Sequence, residues 1–219
     1  ADFCPDLVVP SSCECVLVVP IRARQRRGHL DITDSRGDIV LHAVLCAGSC
    51  SRSANAASSP ASHRTSNVSF AIGSSPAASP GSGGGPPSLV LSTVTGDVLA
   101  RCAAVQAAPG AGFTEFHLCQ PSGVLFGSLA MMVPGGDGGE RYTLTAANGE
   151  KMFFSGSFAR HEVHVSDESG RPLATTERCT GDFDKASEYF RLRVAPLTDV
   201  GLVLCSLLCT HCLRGIDTI

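Results

Sequence analysis

The chain has 219 residues and a formal net charge of −3, with 43% apolar and 17% charged residues. That balance is too apolar for a disordered chain, and it excludes a whole-chain positive field that would gather nucleic acid or an anionic membrane, so any such binding has to come from a local patch. Aromatic residues are only 5% and Trp is absent, so a core has to be packed mainly from Val, Leu and Ala.

The start, Ala1-Asp2-Phe3-Cys4-Pro5, lacks a basic stretch followed by an apolar one, so no secretory signal is expected there. It also lacks Met, which fits a processed chain or a piece of a longer one. Residues 1–14 read as an N-terminal extension and residues 15–219 as a single domain. Cys15 to Ile21 reads as a strand and leads straight into Arg22-Ala23-Arg24-Gln25-Arg26-Arg27. If the strand continues, Arg22, Arg24 and Arg26 share one face and could hold phosphates together, with Arg27 beside them. The alternative is an edge kept charged against aggregation. Only Lys151 and Lys185 among the 17 basic residues are lysines, and the planar guanidinium grips phosphate in a way that an ammonium does not.

One unit then recurs: an alternating strand, a short polar turn ending in Gly, and another strand. The turns are Asp34-Ser35-Arg36-Gly37, Thr93-Val94-Thr95-Gly96, Gln120-Pro121-Ser122-Gly123, Ala146-Ala147-Asn148-Gly149 and Asp167-Glu168-Ser169-Gly170. Gly is required where such a turn places one residue at positive φ. The flanks alternate as half-buried strands do: Tyr142 and Leu144 against Thr143 and Thr145, Val163 and Val165 against Glu162 and His164, and Phe190, Leu192 and Val194 against Tyr189, Arg191 and Arg193. Arg191 and Arg193 therefore share a face and could form a second half of an arginine patch. Five hairpins, the strand at Cys15, the strand at Phe190 and a further candidate over Val68–Ile72 give about twelve strands, enough to close an antiparallel barrel. Residues 47–88 interrupt the rhythm with 32 Ala, Ser, Gly or Pro out of 42, which reads as a low-complexity insertion within the one domain.

Near the C-terminus, Val200 to Leu213 reads as a helix with Asp199 as its N-cap and Gly215 just past its end. It is apolar on every side and spans about 21 Å, short of the roughly 30 Å of a bilayer core, so it should be buried in the barrel rather than in a membrane. Eleven cysteines, an odd number at irregular spacing and often inside apolar runs, fit reduced thiols in a cytoplasmic protein.

The repeated turns at Asp34–Gly37 and Asp167–Gly170, together with Tyr189-Phe190-Arg191-Leu192-Arg193-Val194-Ala195-Pro196-Leu197-Thr198-Asp199 running into the apolar helix, resemble the tubby C-terminal, phospholipid scramblase and LURP-one-related superfamily. The resemblance covers residues 15 to 215. It implies a closed barrel of about twelve strands around a hydrophobic C-terminal helix, and a non-enzymatic, peripheral module that binds phospholipid or phosphoinositide. A structural or protein-interaction barrel without a lipid ligand is the alternative. The lipid-binding candidates are Arg22, Arg24, Arg26, Arg27, Arg191 and Arg193; no cofactor, no nucleic acid and no transmembrane span is expected.

The remaining constellations have plainer readings. Cys205, Cys209 and Cys212 lie on one helical face, but a redox C-x-x-C sits at a helix N-terminus and this one lies at the far end, which favours core packing. His161 and His164 are three apart on a strand, not four apart on a helix, and do not make a zinc-protease signature. Asp182, Asp184, Glu188 and Asp199 lie where scramblase-like proteins place an acidic calcium-binding segment, although four scattered carboxylates read more simply as an acidic turn.

Overall fold

A computed structural model describes residues 2–21, 28–46, 86–105, 115–132, 140–180 and 188–211, with the helix backbone continuing to Leu213. Twelve strands form a closed antiparallel barrel in which every strand pairs with its neighbours in the chain and the first pairs with the last. In chain order they are β1 (Cys15–Pro20), β2 (His29–Thr33), β3 (Ile39–Cys46), β4 (Ser88–Thr93), β5 (Val98–Val105), β6 (Glu115–Cys119), β7 (Leu125–Met132), β8 (Glu140–Ala146), β9 (Lys151–Ser157), β10 (Glu162–Asp167), β11 (Pro172–Thr180) and β12 (Glu188–Val194). The helix α1 covers Val200–Leu208 and passes into a π-helical turn, Cys209–Leu213. The five hairpins give ten strands, and β1 and β12 complete the twelve. Val68–Ile72 lies outside the described residues, and the barrel closes without it.

The five Gly-ended turns connect β2–β3, β4–β5, β6–β7, β8–β9 and β10–β11, and all lie at one end of the barrel, the turn end. In each, the glycine sits at φ between 81° and 93°, where a Cβ is strained, and its N–H donates to the carbonyl three residues back. In three of the five, the side chain at the first turn position, Asp34, Thr93 or Asp167, accepts from backbone N–H groups further along the turn. Asp34 Oδ1 accepts from the N–H of Arg36 and Asp38 at 2.8 and 3.0 Å, and Asp167 Oδ1 accepts from Ser169 and Arg171 at 2.9 and 3.0 Å. Four of the five hairpins carry a register shift beside the turn, as expected where one residue is added to one strand.

Alternation then sends one set of side chains inward. Leu30, Ile32, Leu89, Leu91, Phe116, Leu118, Leu129, Leu144, Phe154, Phe190 and Leu192 are buried in a single core with α1. Every residue of α1 is buried, including Gly201 and Ser206, so the helix fills the barrel. Ser206 is tolerated there because its hydroxyl donates to Leu202 O at 2.8 Å, and Thr210 does the same to Leu207 O at 2.8 Å. No helix among the described residues is long and apolar enough to cross a membrane.

The N-terminal segment differs from expectation. Residues 1–14, read as an extension ahead of the domain, contribute Phe3, Cys4 and Val9 to the core, and Val8 bridges to Asp199. These apolar side chains close the end of the barrel where α1 begins. The Cys4 N–H donates to Asp199 Oδ2 at 2.7 Å, while Asp199 Oδ1 caps α1 by accepting from Leu202 N–H at 2.9 Å. Gly201 permits the approach, since a Cβ there would lie 2.5 Å from Cys4 Sγ. The insertion is also shorter than read, because Pro87 O accepts from Ala104 N–H at 2.9 Å and Ser88 pairs with Ala103. Its residues 47–85 lie outside the described ones.

Candidate functional site

Of the six arginines singled out in the sequence, Arg22, Arg24, Arg26 and Arg27 lie outside the described residues. Arg191 and Arg193 lie on β12, on the outer face as alternation requires, with Phe190, Leu192 and Val194 turned inward. Neither guanidinium stands alone. Arg191 Nη1 donates to Glu177 Oε1 at 2.9 Å across the β11–β12 pairing, and Arg193 lies 3.8 Å from the same carboxylate and 3.6 Å from Glu14. An anionic ligand at this face would have to compete with two carboxylates. Two further described arginines are also paired, Arg171 with Asp167 at 3.0 Å and Arg178 with Glu188.

The concave feature is at the turn end of the barrel. A pocket of about 460 Å³ opens between the β8–β9 and β10–β11 turns, the N-terminal segment and the residues leading into α1. Its floor is apolar, from Phe3, Phe126, Leu144, Met152, Leu173 and Leu202, with the rings of Phe3 and Phe126 5.0 Å apart. Its rim is charged: Asp2, Glu150, Asp167 and Glu168 face two cations, Lys151 and Arg171, while the buried Asp199 lies beneath them. Lys151 reaches Glu168 at 3.9 Å and Arg171 holds Asp167, so the remaining carboxyl groups leave the mouth acidic. The Ser169 hydroxyl, together with bonds from Arg171, holds the Asp167 carboxyl below its usual range. Burial pushes Asp199 the other way, above its usual range, against the pull of the N–H groups of Cys4, Leu202 and Phe3. Thr198 lines the same pocket, and its buried hydroxyl has no hydrogen-bond partner.

At the opposite end, a second cluster forms where α1 finishes. His161 sits at φ 59°, a turn conformation uncommon outside Gly, just before β10. Its ring stacks on Phe190 at 5.5 Å and lies 4.4 Å from His211, which also faces Phe158 at 5.9 Å. His161 Nδ1 and His211 Nε2 are buried without hydrogen-bond partners. Burial lowers His211 to about 3 and, with the positive charge of Arg178, lowers His161, so both imidazoles are neutral at physiological pH. His164, by contrast, faces outward.

The thiol and acidic candidates separate in the same way. Cys205 and Cys209 are fully buried and hydrogen-bond with Cys102, as core thiols. The side chain of Cys212 lies outside the described residues, and no disulfide joins the nine cysteines among them. Burial and the Asp199 carboxylate push the Cys4 thiol up to about 12. Glu188 and Asp199 do not form one site: Glu188 opens β12 at one end of the barrel, while Asp199 caps α1 at the other. Asp182 and Asp184 lie outside the described residues. Sequence reasoning missed the mouth pocket and the His161–His211 pair, because both bring together residues far apart in the chain.

The fold and its mouth define a closed twelve-strand antiparallel barrel around its own C-terminal helix, with one pocketed end. Neither a protein-family model nor a curated protein matches the sequence. Among solved structures, an X-ray structure of an Arabidopsis thaliana protein aligns over 99% of this chain and 98% of its own, at 13% identity and a TM-score of 0.38.

Proposed function

We propose that this protein is a non-enzymatic interaction barrel that seats a basic, partly apolar segment of a partner protein in the pocketed mouth beside the start of α1. The observation that carries this reading is the pairing of an apolar floor with a rim of four carboxyl groups and two cations. Barrel mouths are common binding positions, and a negative rim selects for positive charge on whatever enters. The test is selection of short displayed peptides on the intact chain. Enriched peptides should combine Lys or Arg with apolar residues and should bind at least about tenfold more weakly to a Glu150→Lys, Glu168→Lys variant, where like charges meet. Failure to enrich any peptide, or equal binding to native and variant, would overturn the reading.

A second reading keeps the expectation of an anionic phospholipid or phosphoinositide ligand and of membership in the tubby C-terminal-like superfamily. Its support is architectural: twelve strands around a C-terminal helix, and a β1 that runs to the rim opposite the turn end, where Ile21 N–H donates to Glu188 O at 2.9 Å immediately before the arginine run. With Arg191 and Arg193 shared with carboxylates, this reading rests on Arg22, Arg24, Arg26 and Arg27. Its measure is arginine-dependent binding to anionic vesicles.

A further inference from the structure

We propose that the outer face of the β2–β3 hairpin is a binding site for a divalent first-row transition metal of the zinc, nickel or cobalt class, held by His29, Asp31 and His42. The site is independent of the mouth pocket and lies on the barrel wall.

The register builds it. On β2, His29 and Asp31 are two residues apart and so face the same way, while Leu30 and Ile32 between and after them are buried. On β3, His42 is the direct partner of Asp31, and its neighbours Leu41 and Ala43 are buried. The three outward side chains converge without any loop to position them. His42 Nδ1 lies 2.8 Å and His29 Nδ1 3.2 Å from Asp31 Oδ1, and the two imidazole rings are 4.9 Å apart. One ligand atom from each residue falls within 4.8 Å of the others. Around an ion with bonds of about 2.0–2.2 Å, neighbouring donors stand about 2.8–3.6 Å apart, so the two spacings to Asp31 already match the edges of a coordination polyhedron.

The backbone anchors the site on both sides. Gly28, at φ 62°, accepts from Leu45 N–H through its carbonyl at 2.6 Å, which ties the residue just before β2 to β3 beside His29. On the other side of Asp31, the register shift between Ile32 and Thr33 absorbs the extra residue of the turn. Two imidazoles and one carboxylate make a nitrogen- and oxygen-donor set suited to borderline ions, unlike the all-oxygen sets that calcium and magnesium require. Three protein ligands on an exposed face leave the remaining positions to water or to a donor from a partner. Binding through Nδ1 requires each imidazole to carry its ring proton on Nε2, so the metal replaces the contacts of the two rings with Asp31.

The test must keep the site apart from the thiols, because Cys13 and Cys46 are exposed. The intact chain is alkylated at its accessible thiols and titrated with Co²⁺ and with Zn²⁺, alongside His42→Ala and Asp31→Asn variants treated identically. The expected result is one ion bound per chain, a Co²⁺ spectrum without the intense near-ultraviolet bands of thiolate ligation, a melting temperature raised by the metal, and affinity lowered at least tenfold in each variant. Each variant's melting temperature without metal reports whether it has folded. Absence of saturable binding, thiolate bands, or equal affinity in folded variants would overturn the proposal.

Discussion

Replacing Leu204 with Asp is expected to abolish soluble, cooperatively melting protein. Leu204 lies midway along α1, is fully buried, and has the barrel wall around the helix on every side. A carboxylate there would have no counter-charge and no water. Burying it costs several kcal/mol or leaves the group neutral and still unpaired, against a total stability of about 5–15 kcal/mol for a domain. The milder Leu204→Ala change should keep the fold but lower its stability by about 2–5 kcal/mol, since it removes packed methyl groups from a site that cannot readily collapse. Circular dichroism melts of the two variants and the native chain make the comparison. A Leu204→Asp protein that melts cooperatively near the native temperature would show that α1 is not the core.

Asp199→Ala is the second large effect. This one carboxylate caps α1 through Leu202 N–H and receives Cys4 N–H, so it joins the helix start to the segment that closes the barrel. Losing a cap costs about 0.5–2 kcal/mol, and stranding a buried N–H a further 1–3 kcal/mol, so about 1.5–5 kcal/mol is expected in denaturant melts. The pH dependence has a definite sign. Burial raises the folded-state pKa of Asp199 above 3.8, so the native state binds the proton more tightly than the unfolded chain does. The stability that this proton contributes is full below 3.8 and is lost as pH rises through the raised folded value. Relative to an Asp199→Asn variant, the native chain should therefore lose stability as pH rises across that window. A difference that does not change with pH, or that grows the other way, would contradict the buried placement of this group.

Much of this fold was legible because its determinants are local. Each hairpin carries its own turn signal, and Gly37, Gly96, Gly123, Gly149 and Gly170 all take the positive φ that their turns require. Alternation named the inward residues of β8, β10 and β12, and an all-apolar helix with Asp199 before it could only be buried. The N-terminal segment was not legible, because Phe3, Cys4 and Val9 show no periodicity and their partners come from the other end of the chain. The partners of Arg191 and Arg193 were hidden for a related reason. Glu177 is brought opposite Arg191 by a strand pairing whose connection has no tight-turn signature to set its register. The His29, Asp31 and His42 group was hidden by one residue, since counting back from the Asp34–Gly37 turn places Asp31 opposite Leu41 and only the register shift between Ile32 and Thr33 brings His42 there.

Arg171, Arg178, Arg191 and Arg193 are already held by carboxylates, and the proposed interaction-barrel reading therefore puts binding at the acidic mouth rather than at an anionic lipid surface. Co-sedimentation with phosphoinositide-containing vesicles at physiological salt tests this most directly, with the native chain beside an Arg22→Glu, Arg24→Glu, Arg26→Glu variant. Each basic residue near an anionic membrane contributes about 1 kcal/mol, so the run from Arg22 to Arg27 alone supplies about 4 kcal/mol, a dissociation constant of about 1 mM. Both proteins are therefore expected to stay in the supernatant. Sedimentation of the native chain that is lost in the triple variant would contradict the interaction-barrel reading and establish the arginine run as a lipid-binding site.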